Sequence, residues 1–71
     1  MREKVGNQVR KLRFLHGEMT QEALADGLGV ARQTIIAIEK GKYNPSVGLA
    51  IRIAKVFGLP VEEVFFLEDS E

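Results

Sequence analysis

The sequence predicts an all-α domain of five short helices. Apolar residues recur at the helical period in five stretches. Glycines, prolines and capping residues divide those stretches with short turns. No alternating apolar and polar run competes as a strand. The one ambiguous segment, Val64–Glu68, is apolar and could extend or pair near the C-terminus.

The first helix is expected over residues 3–16. Val5, Val9 and Leu12 fall at i, i+4 and i+7 on one face, and basic residues hold much of the rest. Gly17 is a suitable stop. Thr20 offers an N-cap to a second helix over 21–28, where Glu22 suits the positive end of the helix dipole. Leu24, Ala25 and Leu28 face inward there, and Gly29 suits a positive φ. The third helix runs over 31–40 with Ile35 and Ile38 inward, and Gly41 ends it. Pro45 keeps Asn44 out of the α region, and Ser46 can cap a fourth helix over 47–57. Its buried side is Leu49, Ala50, Ile53, Ala54 and Phe57. Pro60 opens a fifth helix over 60–66, with Val61, Val64 and Phe65 as its apolar residues.

A chain of 71 residues holds one domain, expected over 1–67 with an acidic tail at 68–71. There is no cysteine, and His16 is the sole histidine. That excludes a disulfide framework and leaves no basis for a metal site or a histidine-centred catalytic cluster. No paired nucleophile and base and no phosphate-binding glycine loop appear, so neither an enzyme nor a cofactor is expected. No apolar run approaches the ~20 residues that span a bilayer, and the N-terminal segment lacks the apolar centre of a signal peptide. A cytoplasmic protein with no membrane partner is expected.

Net charge is zero, but its distribution is uneven. Residues 1–43 carry eight Lys/Arg against five Asp/Glu, a balance of +3, and residues 44–71 carry −3. One half could face phosphates while the other stays clear. Chance polarity is the alternative.

Residues 21–40 read QEALADGLGVARQTIIAIEK. Two helices meeting steeply through a tight turn need a small residue where they touch and a left-handed residue at the turn. Ala25 and Gly29 stand at those positions. The angle between the helices needs apolar filling, and Leu24, Leu28, Val30, Ile35 and Ile38 supply it.

On these residues the chain resembles the Cro-like, or xenobiotic-response-element, helix-turn-helix family, whose fold is that of the lambda repressor DNA-binding domain. The resemblance runs from about Val5 to Leu67, through MTQEALA at 19–25, GLGVARQTI at 27–35, IEKGKYNPS at 38–46 and LAIRIAKVFG at 49–58. It implies a compact five-helix domain with the helix-turn-helix at its second and third helices. It further implies a transcriptional regulator, in the first place a repressor, whose partner is double-stranded DNA. The second helix of the motif would enter the major groove. Arg32, Gln33, Ile36 and Ala37 would then meet base edges: arginine suits guanine, glutamine suits adenine, and apolar groups suit thymine methyls. For Arg32 the alternative is a phosphate, and for Ile36 an ordinary partly buried position. Gln21 would meet a phosphate at a helix N-terminus. Thr34, Lys40, Lys42, Tyr43 and Asn44 would contact backbone on the other side, unless the lysines are merely solvated and Tyr43 merely covers its loop. Arg13 and Glu39 match a structural pair that fixes the recognition helix. The family usually has a capping Ser or Thr where this chain has Ala31, a loss on the order of 1 kcal/mol.

Single helix-turn-helix units usually read DNA as dimers. One helical face cannot bury both Phe65 and Phe66 in one core. Phe65 is therefore assigned to the core, and Phe66 with Leu67 to a homodimer interface, through helices or through strands at 65–69. Phe66 folded back on its own domain is the alternative. The competing functional reading is an antitoxin or adaptor whose main partner is another protein.

Overall fold

The computed structural model describes the backbone of residues 2–70 and the side chains of residues 4–68. The elements run β1 (Arg2–Asn7), α1 (Val9–Leu15), α2 (Gln21–Leu28), α3 (Arg32–Glu39), α4 (Val47–Phe57), α5 (Val61–Val64) and β2 (Phe65–Ser70). β1 and β2 form a two-stranded antiparallel sheet, with Val5 opposite Leu67 and Asn7 opposite Phe65.

The five helices lie where the apolar periodicity places them, but the all-α expectation is corrected at both ends. Residues 2–7 are a strand rather than the first half of a helix, and the fifth helix stops at Val64 rather than 66. β2 continues to Ser70, past the expected domain edge at residue 67. The cause is pairing across the length of the chain, which no local pattern records. Gly6 weakens a helix there by about 1 kcal/mol relative to alanine. Asn7 then starts α1 afresh, because its Oδ1 accepts from Val9 N–H at 3.1 Å.

The capping residues act as their chemistry requires. Thr20 accepts from Ala23 N–H at 2.9 Å, and Ser46 from Leu49 N–H at 3.2 Å. Gly29 closes α2 at φ 73°, a left-handed turn that turns the chain into α3. Nothing would crowd a Cβ there, so backbone conformation alone demands glycine.

The core joins every helix: Val9 and Leu12 from α1, Leu24, Ala25 and Leu28 from α2, Ile35 and Ile38 from α3, Ile53, Ala54 and Phe57 from α4, and Val64 from α5. Phe65, the first residue of β2, completes it. Val5 packs against this core from the sheet side. Among the described residues every fully buried residue is apolar, and the nearly buried Glu39 side chain is paired with Arg13, so burial of apolar surface dominates stability.

Candidate nucleic-acid interface

Ala25 of α2 is 1% exposed, buried in the core that α2 shares with α3. α3 then divides into two faces. Ile35 and Ile38 point into the core. Gln33, Ile36 and Ala37 lie toward the opposite side and Arg32 at its flank, as ~100° per residue requires. Arg32 and Gln33 are exposed, and Ile36 and Ala37 are half-buried. This face offers two long polar side chains at the helix start with a small apolar strip behind them.

Ala31 stands at the N-cap of α3 in an extended conformation and makes no side-chain bond. The first amides of α3 are therefore less satisfied than those of α2, where Thr20 caps.

Arg13 and Glu39 meet in a forked ion pair. Nε donates to Oε2 at 2.6 Å and Nη2 to Oε1 at 3.0 Å. The third guanidinium nitrogen, Nη1, donates to the Met19 carbonyl at 2.7 Å. The two side chains are 14% and 5% exposed. One guanidinium thus joins α1, the turn before α2 and the end of α3. Gln21 adds a fourth strut, its Nε2 donating to Glu39 Oε1 at 3.1 Å. An amide nitrogen carries two hydrogens, so one remains for a phosphate.

An open groove of about 640 Å³ runs between α1, the start of α2 and α3. Gln21, Arg32, Ile36 and Lys40 line it together with Arg10. Arg10 had no assigned role in the sequence. Its signal was its place one turn before Arg13, which puts both on the side of α1 that faces α3. Thr34 is half-buried, and Lys40, Lys42, Tyr43 and Asn44 are exposed along the end of α3 and the following loop.

Phe66 and Leu67 lie in β2. Phe66 is 36% exposed and Leu67 65%. The Phe66 ring lies across Gly6, where an added Cβ would stand 2.6 Å from its Cε1. Two further apolar side chains, Val47 and Ile51, are exposed one turn apart on α4. Among the described residues no group of three His, Cys, Asp or Glu side chains could hold a metal ion.

A helix-turn-helix family model matches residues 9–64, from the start of α1 to the end of α5. An uncharacterized HTH-type transcriptional regulator from Methanocaldococcus jannaschii is 58% identical over 65 residues, 92% of this chain and 97% of the relative. YgzD of Bacillus subtilis, also an uncharacterized HTH-type transcriptional regulator, is 49% identical over 64 residues, 90% of this chain and 96% of its own. The cryptic phage CTXphi transcriptional repressor RstR of Vibrio cholerae is 35% identical over 92% of this chain and 56% of its own. The fold is also that of a candidate DNA-binding protein from Bacteroides fragilis, with a TM-score of 0.74 at 18% identity over 86% of this chain and 97% of that one. The chain, with α2 and α3 as its helix-turn-helix, belongs to the Cro-like, xenobiotic-response-element family of DNA-binding transcriptional regulators, a family without enzymatic activity.

Proposed function

We propose that the protein is a repressor that binds a two-fold-symmetric DNA site as a homodimer, with α3 of each copy in the major groove. The observation that carries this reading is the division of α3 into a buried face and a solvent face, held in place by Arg13 and Glu39. Arg32 reads guanine, Gln33 reads adenine, and Ile36 and Ala37 touch thymine methyls. Gln21, Thr34, Lys40, Lys42, Tyr43 and Asn44 hold the phosphates on either side. The similarity to a phage repressor favours repression over activation. Phe66 and Leu67 contribute to the dimer contact, and the regulator works in the cytoplasm without a cofactor.

A second reading rests on Leu67, which is 65% exposed and open to any apolar partner. On that reading the chain is an antitoxin or adaptor, and its main partner is another protein.

Selection of sheared host DNA by the purified protein, beside an Arg32→Ala/Gln33→Ala variant, tests the first reading. A wash at intermediate salt removes non-specific binding. The repressor reading expects a symmetric site enriched by the wild type and lost by the variant. If the folded wild type enriches no sequence, the reading is wrong and the protein-partner reading replaces it.

A further inference from the structure

Asn7 ends β1 one residue before the N-cap of α1, and its amide binds two different helices. Its Oδ1 accepts from Val9 N–H at 3.1 Å, and its Nδ2 donates to the Ile38 carbonyl at 2.9 Å. The two bonds fix the orientation of the amide, since a flipped side chain would oppose donor to donor and acceptor to acceptor. Ile38 lies in the last turn of α3.

That turn closes with the usual left-handed glycine pattern. Gly41 N–H donates to the Ile38 carbonyl at 3.0 Å, and Lys42 N–H to the Ala37 carbonyl at 2.9 Å. A carbonyl has two lone pairs, so Asn7 fills the place that Gly41 leaves open. The carbonyl stands at the negative end of the α3 dipole, where an N–H donor is favoured.

Asn7 is itself fixed in space. Its backbone pairs with Phe65 in the sheet, and the next residue, Gln8, donates its N–H to the Val64 carbonyl at 3.0 Å. The chain from the sheet to Ile38 is therefore continuous and made of short bonds. Arg13 and Gln21 hold α3 through the flexible side chain of Glu39, whereas Asn7 holds its backbone. A backbone bond restrains both the rotation and the axial position of a helix. Base reading needs placement to within about 0.5 Å, which makes such a restraint consequential.

We propose that Asn7 is a positioning residue for DNA reading: it ties the terminal sheet to the end of α3 and so sets the pose of the recognition helix. The proposal rests on α3 being that helix. It makes discrimination between DNA sequences depend on pairing between the two ends of the chain, far from any base.

Asn7→Ser in the full chain separates the two bonds. Serine can keep a weaker form of the turn bond to Val9 N–H, but it is too short to reach Ile38. Asn7→Asp keeps the acceptor and the length but turns a second oxygen toward the carbonyl, and it stands in if the serine variant fails to fold. Two quantities are measured well below the melting temperature. One is amide hydrogen exchange at Lys40, Gly41 and Lys42. The other is the ratio of affinities for the DNA site the wild type selects and for a scrambled duplex. The expected result is several-fold faster exchange at the end of α3 with exchange at Leu12 unchanged. The affinity ratio should fall about five-fold while scrambled-duplex affinity stays the same. Wild-type exchange at residues 40–42 overturns the tether. Faster exchange with an unchanged ratio overturns the positioning role and leaves Asn7 merely structural. If the wild type selects no DNA site at all, the DNA-reading proposal falls by itself, and the exchange rates alone decide the tether.

Discussion

Glu39 is 5% exposed and accepts from Arg13 and Gln21, so its charge is balanced by protein groups in place of water. Removing one partner of such a pair leaves the other desolvated and uncompensated. Arg13→Ala should cost about 3–5 kcal/mol, comparable with the whole stability of a domain this small. Arg13→Met with Glu39→Leu should recover most of that loss, because neither charge then stays buried alone. Urea denaturation of the three proteins measures both effects, and equal losses in the single and double variants would refute the explanation. At the exposed end of α3 the expected effects concern binding. Lys42→Ala should lower the slope of log affinity against log salt by about 1 and weaken all DNA sequences alike. A titration over several salt concentrations checks it, and an unchanged slope would mean that Lys42 is only solvated. The Arg13 and Glu39 assignment came from family resemblance. Spacing alone does not join residues 26 apart. The role of Asn7 was not legible, because it depends on a strand that the local pattern conceals.

The element scale shows where local chemistry suffices. Thr20, Gly29, Ser46 and Gly58 bound their helices as their side chains or positive φ demand. Ala31 departs from that agreement: its backbone is in the extended N-cap conformation, φ −74° and ψ 147°, yet it has no oxygen to offer. Ala31→Ser should therefore stabilise the protein by about 1 kcal/mol, read as a higher urea midpoint at unchanged slope. A neutral or lower midpoint would show that the end of α3 is satisfied in another way. β1 is the element that the sequence concealed, whereas the stretch that forms β2 stood open as one that could extend or pair. β1 holds only one large apolar residue that packs on the core, Val5, and three charged residues beside it. A strand of that composition forms because β2 lies opposite. The apolar run at residues 64–68 showed that something unusual ends the chain, and Phe65 is buried as the helical reading required. Which partner the run would find depends on a contact more than 50 residues distant along the chain.

At the scale of the whole molecule, one chain measures 36 × 22 × 21 Å and carries one α3. Half-sites one DNA turn apart lie about 34 Å from centre to centre, so a single copy cannot place a recognition helix in both. Self-association is expected for that reason. Leu67→Glu should weaken it, as measured by sedimentation equilibrium, if β2 supplies the contact. If Val47→Glu weakens it and Leu67→Glu does not, the contact lies on α4 instead. The +3 balance of residues 1–43 belongs to the sequence and not to one side of the fold, because β1 places Lys4 opposite Glu68 of β2, and any attraction to phosphates fades with salt whatever the sequence. Charge therefore cannot test the central claim, which is that the solvent face of α3 reads bases in the major groove. The most direct test uses the selected DNA site with single purines altered, so that carbon replaces the ring nitrogen facing the major groove. Wild type and Arg32→Ala/Gln33→Ala are titrated against each altered duplex. The account predicts one or two positions per half-site where the alteration weakens the wild type, by up to about 1–3 kcal/mol, and leaves the variant unaffected. If every alteration weakens both proteins equally, or neither, these side chains do not read the major groove and the central claim is wrong.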